Sequence, residues 1–133
     1  MLEPFQSTNW NQCRRKVDYL NRRENVKGWS HVVLYRSVFD LIREFLQDEA
    51  FAGQDKTLTK YLKPDLLIVD DMGMKQLPKK SGEYLFEIVM RRYEIRSTIM
   101  TSNRPIEEWG KLIGDVPSAT AILDRFLHHA KVL

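Results

Sequence analysis

An α/β fold with parallel strands follows from three features of the sequence. Short runs rich in β-branched, aliphatic and aromatic residues recur near 31–36, 65–70 and 97–101. Between them, apolar residues repeat with the period of a helix. The middle run, Leu66-Leu67-Ile68-Val69, is apolar without interruption and bounded by Asp65 and Asp70, which suits a strand covered on both faces. Strands alternating with helices pair in parallel through right-handed crossovers.

The elements follow in chain order. Trp10, Cys13, Val17 and Leu20 fall at helical spacing, which predicts an amphipathic helix over 10–24 with its arginines in water and Gly28 as its stop. His31-Val32-Val33-Leu34-Tyr35-Arg36 reads as a strand with His31 in a structural place, and Ser37 as the cap of a helix carrying Val38, Leu41, Ile42 and Phe45 inward. A polar helix from Gln54 to Leu62 ends before Pro64, because the residue ahead of a proline is pushed out of helical geometry. After the strand at 65–70, Ser81 opens a helix whose expected core face is Leu85, Phe86, Val89, Met90 and Tyr93. The strand Ser97–Thr101 comes next, then a short helix with Pro105 in its first turn and its end near Gly110. A last helix, from about Ser118 to Ala130, should bury Ile122, Leu123, Phe126 and Leu127 and turn Asp124, Arg125, His128 and His129 to solvent.

Composition narrows the class. Of 133 residues, 43% are apolar and 29% charged, with six glycines and five prolines, which excludes a disordered tail and a collagen. No window approaches the roughly 18 apolar residues of a membrane span, and Met1 leads into a polar stretch rather than a secretory signal, so a reducing cytoplasm is the expected compartment. The single cysteine, Cys13, has no internal disulfide partner; its basic neighbours Arg14, Arg15 and Lys16 would favour the thiolate, but nothing pairs it with a general base. The net charge is +3, and all of the excess sits in residues 1–30, where six basic side chains face three acidic ones. Residues 1–30 thus read as a basic helical leader, and 31–133 as the α/β unit. Such a leader is either a solvated helix face or a surface that neutralises DNA phosphates.

In parallel sheets ligands bind beyond the carboxyl ends of the strands. Two such ends carry chemistry: Asp70-Asp71 closes the second strand, and Thr101-Ser102-Asn103-Arg104 closes the third. An acid at the first place can hold Mg²⁺ on phosphates, its neighbour can orient or deprotonate water, and a polar residue on the adjacent strand can position that water. Two acids can equally just end a strand and cap the next helix. A receiver domain also has paired acids there but needs a further aspartate where Asn103 stands. His128 and His129 diverge by about 100° on a helix and cannot chelate one metal together.

Three blocks, Pro64-Asp65-Leu66-Leu67-Ile68-Val69-Asp70-Asp71-Met72-Gly73, Thr98-Ile99-Met100-Thr101-Ser102-Asn103-Arg104-Pro105 with Glu108-Trp109-Gly110, and Ala121-Ile122-Leu123-Asp124-Arg125-Phe126-Leu127-His128-His129-Ala130, resemble the IstB-like ATPases. These are helpers of insertion-sequence transposases and relatives of the DnaC helicase loaders in the AAA+ class. The resemblance covers residues 31–133 and implies part of a three-layer P-loop NTPase fold with a short parallel sheet flanked by helices. It implies ATP and Mg²⁺ as cofactors, and DNA, a transposase and further copies of the chain as partners. By position, Asp70 is similar to the Walker B metal ligand, Asp71 to the companion acid that activates water, Asn103 to sensor 1 and Arg125 to the arginine finger offered to a neighbouring subunit. Arg125 read without the resemblance is a surface ion pair.

The family's phosphate-binding loop has no counterpart here, since none of the six glycines opens a G-x-x-x-x-G-K-[ST] pattern. Lys131-Val132-Leu133 resembles the opening of the family's last strand. The expected sheet therefore has three strands with Ser97–Thr101 at an edge. A non-catalytic remnant that binds DNA or a transposase, and a helicase loader, are the competing readings.

Overall fold

The structure, a computed structural model, describes residues 31–50 and 54–129. The proposed leader helix, Cys13 and Gly28 lie outside the described residues, as do the last four residues. Three parallel strands, β1 (Val33–Ser37), β2 (Leu66–Met72) and β3 (Ser97–Ser102), lie side by side in chain order. Helices α1 (Val38–Ala50), α2 (Gln54–Leu62) and α3 (Ser81–Arg92) connect them. A 3₁₀ turn (Ile106–Glu108), α4 (Trp109–Ile113) and α5 (Val116–His129) come after β3. This is the α/β architecture the alternating pattern predicts.

Strands that advance one place at a time in the same direction, joined by right-handed crossovers, send their connecting helices to one face of the sheet. The core obeys this rule. Leu67 and Val69 of β2 are fully buried in one cluster with Val38, Leu41, Ile42 and Phe45 of α1, Leu85, Ile88 and Val89 of α3, and Ile122 of α5. The registers Leu34–Leu67–Thr98 and Arg36–Val69–Met100 lie on that face. The registers Tyr35–Ile68–Ile99 and Ser37–Asp70 lie on the other, which carries the candidate site. Among the described residues β3 has one strand partner, and Ile99 is 46% exposed.

Local signals explain most element ends. The Ser37 hydroxyl accepts the Phe39 N–H at 3.2 Å, capping α1 as expected. Helix α2 stops at Leu62, before Pro64. The core face of α3 is rotated from the expected one: Ser81, Gly82, Leu85, Ile88, Val89 and Arg92 are buried, while Phe86, Met90 and Tyr93 are half-buried. Two other expectations are corrected. The short helix runs through Gly110 and ends where Gly114 takes a left-handed conformation (φ 71°). The last helix starts at Val116, because Asp115 rather than Ser118 caps it, accepting the Ser118 N–H at 3.3 Å. Leu127, expected inside, is 40% exposed.

Arg92 pins this arrangement together. Its guanidinium, 1% exposed, donates to the carbonyls of Tyr61 (3.0 Å), Pro64 (2.9 Å) and Ser97 (2.5 Å) and to the Thr98 hydroxyl (2.9 Å). It thus ties the end of α2 to the starts of β2 and β3. Burial, with Arg96 nearby, holds its pKa below the usual arginine value.

Candidate functional site

Asp70 is the centre of the site. It ends the regular part of β2, is 4% exposed, and has a donor on each carboxylate oxygen. Oδ1 accepts the Asp71 N–H at 2.8 Å and the Thr101 hydroxyl, and Oδ2 accepts the Tyr35 hydroxyl. One donor thus comes from each strand. An ionised carboxylate has about four acceptor positions, so about one remains.

Immediately after Asp70 the strand bulges. Pairing with β3 skips from Val69 to Met72, and Asp71 sits in the left-handed region (φ 64°), which aspartate tolerates better than most residues. Gly73 follows at φ 101°, a conformation open to glycine. A Cβ there would lie 2.6 Å from Asn103 Oδ1 and 3.0 Å from Arg104 Cγ. Asn103 is held against this turn by its own N–H, which donates to the Met72 carbonyl at 3.2 Å, and by its amide, which donates to Met74 Sδ at 3.4 Å. Arg104 closes the corner, donating to the Gly73 carbonyl at 3.0 Å and pairing with Glu108 at 3.0 Å.

The structure therefore brings Asp70, Asp71 and Asn103 together at the carboxyl ends of β2 and β3. Arg125 is elsewhere. It is exposed on α5, stacked 5.5 Å from the centre of the Tyr93 ring, and borders a cleft of about 650 Å³ that reaches Ser97 and Thr98 at the opposite end of β3. Six residues of strand separate the two ends, roughly 17 Å. Within one copy Arg125 cannot complete a site at Asp70.

Two contributors escaped the sequence reading. Tyr35 became visible only through the register that sets it next to Ile68, two residues before Asp70 and on the same face, and Gly73 only through its contact with Asn103. A glycine directly after two acids and a methionine was the available signal for the second.

The donor set can be tested against Mg²⁺. Among the described residues no three His, Cys, Asp or Glu side chains gather into a cage. Mg²⁺ is commonly held by one or two carboxylates with phosphate oxygens and water completing the shell, and Asp70 with Asp71 beside it fits that pattern. The chain's residues thus fit the metal side of a nucleotide site, whereas its sequence holds no phosphate-cradling loop motif. No helix among the described residues is long and apolar enough to cross a membrane.

The family model for the IstB-like ATP binding protein matches residues 24–133. The chain belongs to this IstB-like family. It is 33% identical, over 135 aligned positions, to the protein named as the ATP-binding protein of insertion sequence IS5376 in Geobacillus stearothermophilus, an alignment covering 86% of this chain and 54% of that protein. It is 34% identical over 103 positions to the similarly named IS21 protein of Pseudomonas aeruginosa, covering 77% and 39%. This IstB-like chain therefore spans about half, or less, of the curated relatives it matches. Among solved structures, AMPPCP-bound DnaA from Aquifex aeolicus aligns with a TM-score of 0.60 at 18% identity over 69% of this chain and 29% of that one. The DnaC helicase loader aligns with a TM-score of 0.54 at 14% identity, covering 92% and 91%. At these identities the likeness is one of fold, that of the AAA+ P-loop NTPases.

Proposed function

We propose that this chain supplies the metal-holding and water-positioning side of the ATP site of an insertion-sequence helper protein. The observation that carries the reading is the buried Asp70 carboxylate at the end of the central strand, with Asp71 and Asn103 beside it, in a chain of the IstB-like family. ATP with Mg²⁺ would supply a transferable phosphoryl group and a cation that offsets its charge. On this reading Asp70 would hold the cation through its buried carboxylate. Asp71, displaced by the bulge, takes the proton of the attacking water, and Asn103, anchored to Met72, positions that water. Arg125 serves the site of a neighbouring copy, a role compatible with its exposure and its distance from Asp70 in its own copy. The partners follow from the same reading: DNA through the basic leader, the transposase of the element, and further copies of the chain.

A second reading, a binding module that turns over no nucleotide, is favoured by one observation, the absence of a G-x-x-x-x-G-K-[ST] pattern from the 133 residues. Titration with a fluorescent ATP analogue and Mg²⁺, on the wild type and Asp70→Ala, separates the two. Saturable, Mg²⁺-dependent binding that Asp70→Ala removes supports the ATP site. Binding indifferent to Asp70→Ala refutes it, and no binding up to millimolar analogue favours the binding module.

A further inference from the structure

We propose that the Tyr35 hydroxyl is a gate on Asp70: it donates to the carboxylate oxygen Oδ2 and must leave it before a divalent cation binds there. The inference rests on reading Asp70 as the cation holder. Asp70 is almost fully buried, so a cation reaches its carboxylate only if a neighbouring group moves. Its three donors differ in their freedom to do so. The Asp71 N–H is backbone, fixed within the bulge. The Thr101 hydroxyl sits on a β-branched side chain, stiff at χ1, on β3. Both of these serve Oδ1.

Oδ2 takes only the Tyr35 hydroxyl from this set, at the tip of a long side chain where a small rotation near the backbone moves the oxygen by several ångströms. Tyr35 is half-buried on the edge strand β1, beside a cleft of about 410 Å³ that it shares with Ser37, Asp40 and Asp71 at the carboxyl ends of β1 and β2. Exchange of a phenol for a cation on Oδ2 keeps the buried carboxylate satisfied in both states, since a bound cation replaces the lost hydrogen bond. Tyr35 thus competes with the metal, and its hydroxyl sets the affinity of the site without being a ligand.

The test uses Mn²⁺ alone, followed by water-proton relaxation, on the full chain and on Tyr35→Phe, Thr101→Val, Asp70→Asn and the Tyr35→Phe/Asp70→Asn double variant. Removal of the phenol oxygen should tighten Mn²⁺ binding about tenfold, equivalent to about 1.4 kcal/mol. Asp70→Asn should abolish the binding in either background. Thr101→Val, which frees only Oδ1, should stay within about twofold of the wild type. Asp70-dependent binding that Tyr35→Phe leaves unchanged or weakens overturns the gate alone, as does equal tightening by Thr101→Val. Binding that survives Asp70→Asn in every background rejects Asp70 as cation holder, and the gate with it. Should Tyr35→Phe fail to fold, the wild type still decides: Mg²⁺ should produce a tyrosine ultraviolet difference signal that Asp70→Asn lacks, and a silent spectrum with bound Mg²⁺ refutes the gate.

Discussion

Replacing Arg92 by methionine keeps the apolar stem of the side chain and removes the guanidinium that joins α2, β2 and β3. The backbone carbonyls of Tyr61, Pro64 and Ser97 lose a donor at 2.5–3.0 Å and that of Leu62 a weaker one at 3.4 Å, together with the Thr98 hydroxyl. A buried acceptor left without a partner costs about 1–3 kcal/mol, so the first three carbonyls together set a loss of roughly 3–9 kcal/mol. Relief of the desolvated charge returns part of this, and we expect about 4 kcal/mol. A domain of this size has total stability of roughly 7–20 kcal/mol, so the variant stays folded but marginal. Its melting temperature should fall by about 15 °C, at roughly 4 °C per kcal/mol. Arg92→Lys should recover less than half, because a single ammonium nitrogen cannot reach the separate acceptors that Nε, Nη1 and Nη2 of the guanidinium serve. Urea unfolding followed by far-ultraviolet circular dichroism reads the loss. A decrease below about 1 kcal/mol with an unchanged m-value would show that the guanidinium does not hold these elements together.

Further expectations concern the turn, the carboxylates and the leader. Gly73→Ala puts a Cβ 2.6 Å from Asn103 Oδ1 on a backbone at φ 101°, and should cost about 2 kcal/mol and displace the asparagine; a thermal melt matching the wild type would refute the turn geometry. Glu44 titrates below its ordinary 4.5: burial alone would raise it, but hydrogen bonds from Lys60 (2.6 Å) and Tyr61 (2.9 Å) outweigh that. The Val32 N–H, at 2.8 Å, and Arg96 likewise lower Asp65 from 3.8. Because both folded values lie below the unfolded ones, this stabilisation is complete above about pH 5 and disappears as the pH falls through the folded values, so the urea midpoint should drop below about pH 4 and less steeply in Glu44→Gln. If the basic leader neutralises about three phosphates, duplex DNA affinity should fall roughly 40-fold between 50 and 200 mM salt, measured by fluorescence anisotropy; a flat salt profile would remove DNA from its partners.

The strands, and most of the helix ends, could be read from residue pattern because each is set by local chemistry. Val38, Leu41, Ile42 and Phe45 of α1 are all buried as their spacing requires, and Pro64 stops α2 where expected. The acids at 70 and 71 and the asparagine at 103 could be located because the carboxyl ends of adjacent parallel strands must meet. What pattern did not disclose depended on partners distant in sequence. The role of Arg92 shows only when the carbonyls of α2 and β3 are brought to it, and Ile88 joins Leu85 and Val89 in the core while Phe86 packs against its edge. Tyr35 reads as an ordinary strand aromatic until the register sets its hydroxyl on Asp70. Arg125 was correctly expected on the outer face of its helix, but only the structure places it at the far end of β3 from the acids.

The most direct test of the account is the position of bound nucleotide. Irradiation of the chain with Mg²⁺ and the γ-(4-azidoanilide) of ATP, which carries its photoreactive group on the terminal phosphate, followed by peptide mapping, locates the label. The account predicts labelling within residues 70–76 and 102–105, where Asp70, Asp71, Gly73 and Asn103 meet, suppressed by excess ATP and by Asp70→Ala. Labelling confined to residues 89–98 and 125–126, around the cleft at the opposite end of the sheet, would contradict it.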